Sequence, residues 1–172
     1  MADNEQLRND LQAAITADTV FIRVVGRGSF QVSAALKQFI NEYSAKDRIA
    51  AVVIDLAECI GMDSTFMGVL AGLAWRLSKQ NKKIELINVS PKNRELLETL
   101  GVARVIKHYE NDNGYHIPAD TPEQLAAADS TKRELAETAL QAHENLMKLG
   151  DENICRFKRV VEYLQVDIDR LN

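Results

Sequence analysis

The sequence predicts an α/β fold: a small mixed sheet packed with helices, mostly on one face, followed by a C-terminal helical extension. Three observations carry this prediction. Runs of apolar and β-branched residues at positions 19–25, 50–56 and 84–89 alternate with segments of helical period. Capping side chains or glycines mark the changes of period. Beyond residue 119 the strand-like runs stop, and two long amphipathic segments take over.

In chain order, residues 1–15 are a polar lead-in with room for a short helical or edge-strand piece near its end. Residues 19–25, TVFIRVV, read as a strand, broken by Gly26-Arg27-Gly28-Ser29. Ala35, Leu36, Phe39, Ile40 and Tyr43 share one side of a helix over 32–43. The next strand, 50–56, carries Val52-Val53-Ile54, a run suited to burial on both faces. A connector over 55–62 leads to Asp63-Ser64-Thr65, three capping side chains ahead of an apolar run with helical period. Phe66, Val69, Leu70, Leu73 and Leu77 form the apolar face of that helix, and Gly68 and Gly72 let it sit close to whatever packs on it.

A polar turn at 80–83 precedes the strand 84–89, and Ser90-Pro91 opens a short helix ending at Gly101. Residues 102–108 supply a last strand, and the loop 111–119 is the natural boundary between a domain over 1–112 and an extension over 120–172. Thr121-Pro122-Glu123-Gln124 fits a capping box, so one helix is predicted from there to Leu149. Gly150-Asp151 interrupts it before a second helix over 154–171, making a helical hairpin or a kinked helix. The apolar stripes must be buried on each other, on the sheet domain or on a second copy, so a homodimer through these helices is one expected arrangement.

Composition narrows the function. The chain has 172 residues, 46% of them hydrophobic, and a formal net charge of −4. Residues 1–118 carry 14 acidic and 14 basic side chains, whereas 119–172 carry 11 and 7, so the negative charge belongs to the extension. Without clustered Lys and Arg, nucleic acid is not an expected partner. No apolar run approaches the ~20 residues of a membrane span. The polar N-terminus is unlike a secretory signal, which makes a cytoplasmic location the expectation. Cys59 and Cys155 read as reduced thiols. His108, His116 and His143 are scattered without metal-ligand spacing, and no nucleotide-binding P-loop is present, so no metal or other cofactor is expected. A serine nucleophile needs a base, and no histidine partner is indicated, so catalysis is not expected.

Met62-Asp63-Ser64-Thr65-Phe66-Met67-Gly68 resembles the Asp-Ser-Ser/Thr-Gly-Leu-Gly motif of STAS domains, the anti-sigma-factor antagonist family. The flanking strand and helix, and the later strand with Ser90-Pro91, resemble the family too, over roughly residues 16–111. The resemblance implies a STAS-like fold and a phosphorylation-switched protein-binding module. Its partners would be an anti-sigma factor with serine-kinase activity and a serine phosphatase. The family's phosphorylated serine matches Ser64, with Thr65 the second choice. The implied partner-binding residues are Asp63, Ser64, Thr65, Phe66 and Met67, joined by Gly28 and Ser29 of the first strand–helix loop, with Arg27 at the rim. Phe66 departs from the family's glycine, and the loop lacks the family's frequent acidic residue.

The charge of a phosphate gives this switch its physics. A phosphoserine adds about −1.5 to −2 charges. A surface docked on a neutral hydroxyl would then have to desolvate a dianion beside the Asp63 carboxylate. The alternative reading is a non-switching scaffold subunit of a signalling or transport assembly, with Ser64 or Asp63 serving only as a helix cap worth about 1 kcal/mol. A small hydrolase using Asp63 and Ser64 is a third class.

Overall fold

A computed structural model describes residues 9–119, 123–125 and 130–171. The antiparallel pair β1 (Asp10–Ile15) and β2 (Thr19–Gly28) leads into α1 (Phe30–Ser44), β3 (Ala51–Asp55), β4 (Cys59–Met62) and α2 (Ser64–Lys79). Then follow β5 (Lys83–Ile87), α3 (Pro91–Thr99), a 3-10 turn (Val102–Arg104) and β6 (Lys107–His108). The chain continues with β7 (Glu123–Leu125), α4 (Lys132–Met147) and α5 (Asp151–Arg170). Strand order is β6-β5-β3-β2-β1-β7, with β4 paired to the end of β2. The β2–β3–β5–β6 part is parallel and the β1 pairings are antiparallel, so the sheet is mixed.

Side-chain alternation along the strands builds two layers. Val20, Ile22, Val24, Val52, Ile54 and Leu86 enter the main core with Leu36 and Ile40 of α1 and Phe66, Leu70 and Leu77 of α2. Phe21, Val53 and Ile87 point to the other face, where Tyr109, Tyr115 and Ile117 cover them. The helices thus occupy one face of the sheet, and a loop after β6 closes the other. In that loop Tyr115 donates its hydroxyl to the buried Glu85 at 2.5 Å, a bond that, with burial, pushes the phenol up to about 12.

Four elements differ from the sequence reading. Gly26 and Gly28 do not end β2. Gly26 takes φ +80°, a β-bulge follows, and the strand continues alongside β4. The connector after β3 contains β4 itself, a four-residue strand too short to show a period. Only Lys107–His108 of the last predicted strand pairs, because a 3-10 turn takes up the residues before it.

The largest difference is in the extension. The first helix does not begin near residue 121; Glu123–Leu125 is a strand on the outer edge of β1. An edge strand with unpaired N–H and C=O groups is satisfied by any neighbouring extended segment, and that outweighs local helix propensity. Thr121 and Pro122 lie outside the described residues, as do 126–129. The capping box belongs to Thr131 and Glu134. The Thr131 hydroxyl accepts from the Glu134 amide at 3.1 Å, and the Glu134 carboxylate accepts from the Thr131 amide at 2.7 Å. The break at Gly150 falls as the sequence predicts.

Candidate functional site

The site forms where the β2–α1 and β4–α2 turns meet. Asp63 is the N-cap of α2, and one carboxylate oxygen accepts from the Phe66 amide at 2.9 Å. The other accepts from the Phe30 amide at 2.7 Å. Phe30 opens α1, whose own N-cap residue, Ser29, makes no side-chain cap. One carboxylate therefore caps two helices and ties their turns together. Its charge sits at two helix N-termini, where unsatisfied N–H groups and both dipoles favour an anion. The Asp63 amide completes the tie by donating to the Gly28 carbonyl at 2.8 Å.

Ser64 is the first residue of α2 and is half-buried. Its hydroxyl lies 2.9 Å from Nε2 of His143, a residue of α4. Nδ1 of His143 lies 2.7 Å from the Ala139 carbonyl, which can only accept. That bond assigns the proton to Nδ1, leaving Nε2 to accept from the Ser64 hydroxyl. His143 is buried against Phe157, with ring centroids 5.1 Å apart. Burial holds its imidazole below the usual histidine range, against smaller opposing effects of the Ala139 hydrogen bond and the Asp63 charge.

Helix α4 lies directly on α2. A β-carbon placed on Gly68 would fall 2.2 Å from the Ala142 carbonyl oxygen, and one on Gly72 would fall 2.4 Å from the Asn145 side chain. The backbones touch at Gly68 and the Asn145 side chain fills the space at Gly72, the close approach that the spacing of the two glycines predicts. Asn145 donates to the Gly68 carbonyl at 3.2 Å, and Lys37 of α1 donates to Gln141. Thr138, Ala142 and Leu146 are buried on the inward side of α4. At the far end, the Asn153 amide bridges the carbonyls of Leu100 and Leu146 at 2.9 and 2.8 Å.

The structure brings the predicted residues together but gives several of them other work. Phe66 is fully buried, so its ring is a core element and not an interface anchor. Gly28 faces that ring: a β-carbon there would lie 2.8 Å from it, so glycine makes room for the phenylalanine. Thr65, Met67 and Ser29 are buried as well. Ser29 Oγ has no hydrogen-bond partner among the described residues. Asp63 and Ser64 alone of the motif's Asp63–Met67 reach partial exposure, and Arg27 is exposed. Phe30 and Ile60, 48% and 53% exposed, are the large apolar side chains left open beside the turn.

Sequence reasoning missed His143, because its contact with Ser64 spans 79 positions. The expectation that Ser64 has no histidine nearby is corrected. The pair does not extend to a Ser-His-Asp relay, since Asp63 is committed to two backbone amides and Nδ1 faces a carbonyl. Cys59 is buried, and burial raises its thiol; Cys155 is exposed, and both are free. Among the described residues no group of three or more His, Cys, Asp or Glu could hold a metal ion, and no helix is long and apolar enough to cross a membrane.

The structure resembles several solved proteins at the level of the fold. The anti-sigma factor antagonist SpoIIAA of Bacillus, in its unphosphorylated form, shares 20% identity, with a TM-score of 0.51 over 57% of this chain and 86% of SpoIIAA. An anti-sigma factor antagonist from Mycobacterium paratuberculosis shares 20% identity, with a TM-score of 0.52 over 62% and 90%. A sulfate transporter family protein from Wolinella succinogenes shares 15%, with a TM-score of 0.51 over 58% and 82%. The family model of the STAS domain matches residues 10–113, from β1 past the Ser64 turn to the loop after β6. The chain therefore belongs to the STAS domain family, and α4 and α5 lie beyond the matched region.

Proposed function

We propose that this chain is a phosphorylation-switched protein-binding module of the anti-sigma-factor-antagonist type. Unmodified at Ser64, it binds an anti-sigma factor with serine-kinase activity; phosphorylated there, it lets go, and a serine phosphatase resets it. The observation that carries the reading is the placement of the Ser64 hydroxyl, half-buried at the start of α2 and next to a carboxylate clamped between two helices. A phosphate added there cannot shed its charge onto Asp63, which is already an acceptor. A docked surface would meet a dianion without a matching cation, at a cost of several kcal/mol. Likeness in fold to anti-sigma factor antagonists supports the partner class.

The docking surface in this reading is the Asp63–Ser64 turn with Phe30 and Ile60 beside it. Thr65 is the second-choice acceptor, and its burial ranks it further below Ser64. The protein acts in the cytoplasm, and it works by binding, not by turnover. Residues 1–112 form the domain that carries Ser64, and residues 120–172 the helical extension, whose α4 packs on α2. The exposed α5 residues Val160, Tyr163 and Val166 support a homodimer through the extension.

Incubation with the cognate kinase and a nucleoside triphosphate, followed by mass spectrometry, should place one phosphate on Ser64. Ser64→Ala should accept none and stay bound to the anti-sigma factor. Ser64→Asp should bind about tenfold or more weakly, a difference of ~1.4 kcal/mol. Wild-type affinity in both variants would overturn the switch. It would favour the second reading, a scaffold subunit, which the cover of α4 over α2 and the likeness to a sulfate transporter family protein support.

A further inference from the structure

We propose that α4 is an intramolecular cover on α2 beside the partner-docking turn, seated on the Gly68 contact and closed by the Ser64–His143 hydrogen bond, and that negative charge on Ser64 unseats it. This rests on the reading of Ser64 as the modified residue. It adds a competitor that the STAS match, which ends at residue 113, does not contain.

Three features make α4 behave as a docked ligand. Its contact with α2 is backbone to backbone at Gly68, so α4 has no side chain there that could swing aside. Its polar ties to the sheet domain include His143 to Ser64, Asn145 to the Gly68 carbonyl, and Gln141 to Lys37. Its inward face presents Ala142 where α2 presents Gly68, and Asn145 where α2 presents Gly72. The groove on α2 thus fits an amphipathic helix with a small residue at its closest approach. An external protein that extends its contact from the turn onto α2 must displace α4 first.

The latch is sensitive to charge by construction. With 2.9 Å between Ser64 Oγ and His143 Nε2, only the shared hydrogen fits between them. Phosphoryl transfer from a nucleoside triphosphate forms the Oγ–P bond and breaks the terminal P–O bond of the triphosphate and the serine O–H bond, the nucleoside diphosphate and the proton leaving. The hydrogen that His143 accepts is then gone, and a phosphate group stands where the imidazole was. With its one proton on Nδ1 for Ala139, His143 as seated in the unmodified protein has none to offer at Nε2. Acceptor faces acceptor, and α4 lifts off α2. The same charge that repels an external partner also releases the internal one.

Hydrogen–deuterium exchange of the full chain tests this without a partner. Peptides covering 138–146 report on α4, and peptides from β3 and β5 report on the sheet. In Ser64→Asp and in Gly68→Ala, α4 should exchange about tenfold or more faster while β3 and β5 keep wild-type protection. Ser64→Ala, which adds no charge, should change α4 much less than Ser64→Asp does. Wild-type protection of α4 in Gly68→Ala would show that α4 is not held by that contact, and would overturn the proposal. Opening in Gly68→Ala but not in Ser64→Asp would overturn its charge-driven release. Gly68→Ala leaves the hydroxyl intact, so a Ser64 that no kinase modifies would sink the phospho-switch reading while leaving the Gly68→Ala result standing.

Discussion

Asp63 holds two amides with one carboxylate, and its substitutions separate those two jobs. Asn at this position keeps one acceptor for the Phe66 amide but turns a donor toward the Phe30 amide. Ala loses both acceptors. Asp63→Ala should lower stability by about 1–2 kcal/mol and Asp63→Asn by less, read from the midpoint of urea unfolding. His143 makes a second prediction, in pH. Burial keeps its folded-state imidazole below the ordinary 6.5, so an unfolded chain takes up its proton first as the solution is acidified. The stability this group contributes is complete above pH 6.5 and is lost as pH falls from there through the folded value. Replacing His143 by Gln should remove that part of the acid sensitivity, measured as the urea midpoint against pH. An unchanged slope would show that the imidazole is solvated.

At the scale of elements, the contact between β2 and α2 decides what Phe66 does. The ring is sealed at 0% exposure against Gly28, where a side chain has no room. Phe66→Ala should cost about 3–5 kcal/mol through lost burial and a cavity. Gly28→Ala should destabilise by overpacking, and the double variant should recover part of the loss, because the small residue then fills space the ring has left. Thermal unfolding of the four proteins measures the coupling. Little of this pairing was legible beforehand. An aromatic at position 66 matched the helical period, and Gly28 read as a loop breaker, yet neither position names the other. The helix starts at Ser64 and Pro91 were legible, since capping side chains and Pro act within one turn. The start of α4 was misread because two capping-box patterns, at 121 and 131, compete locally, and a sheet edge decided between them.

Over the whole molecule, the extension and the sheet domain are one packed body around α2. Its α4 covers α2 and touches α1, and Asn153 and Arg104 fasten the turn between α4 and α5. The outer side of α5 stays open, with Tyr163 72% exposed. If this side joins two copies, the mass in solution should be twice that of the chain, and Tyr163→Glu should bring it to the monomer. A monomeric wild type would exclude that arrangement.

Sequence alone determined the elements whose causes are local: the apolar period of strands and helices, the caps at Asp63 and Ser90, the break at Gly150, and the Asp63–Gly68 motif. It also showed that Gly68 and Gly72 await a close neighbour. Only the tertiary structure decided which neighbour that is, and that His143 meets Ser64 across 79 positions. The physical reason is range. Caps and periodicity act within a turn or two of the chain, whereas the seat of α4 depends on how separate surfaces fit after each element has formed.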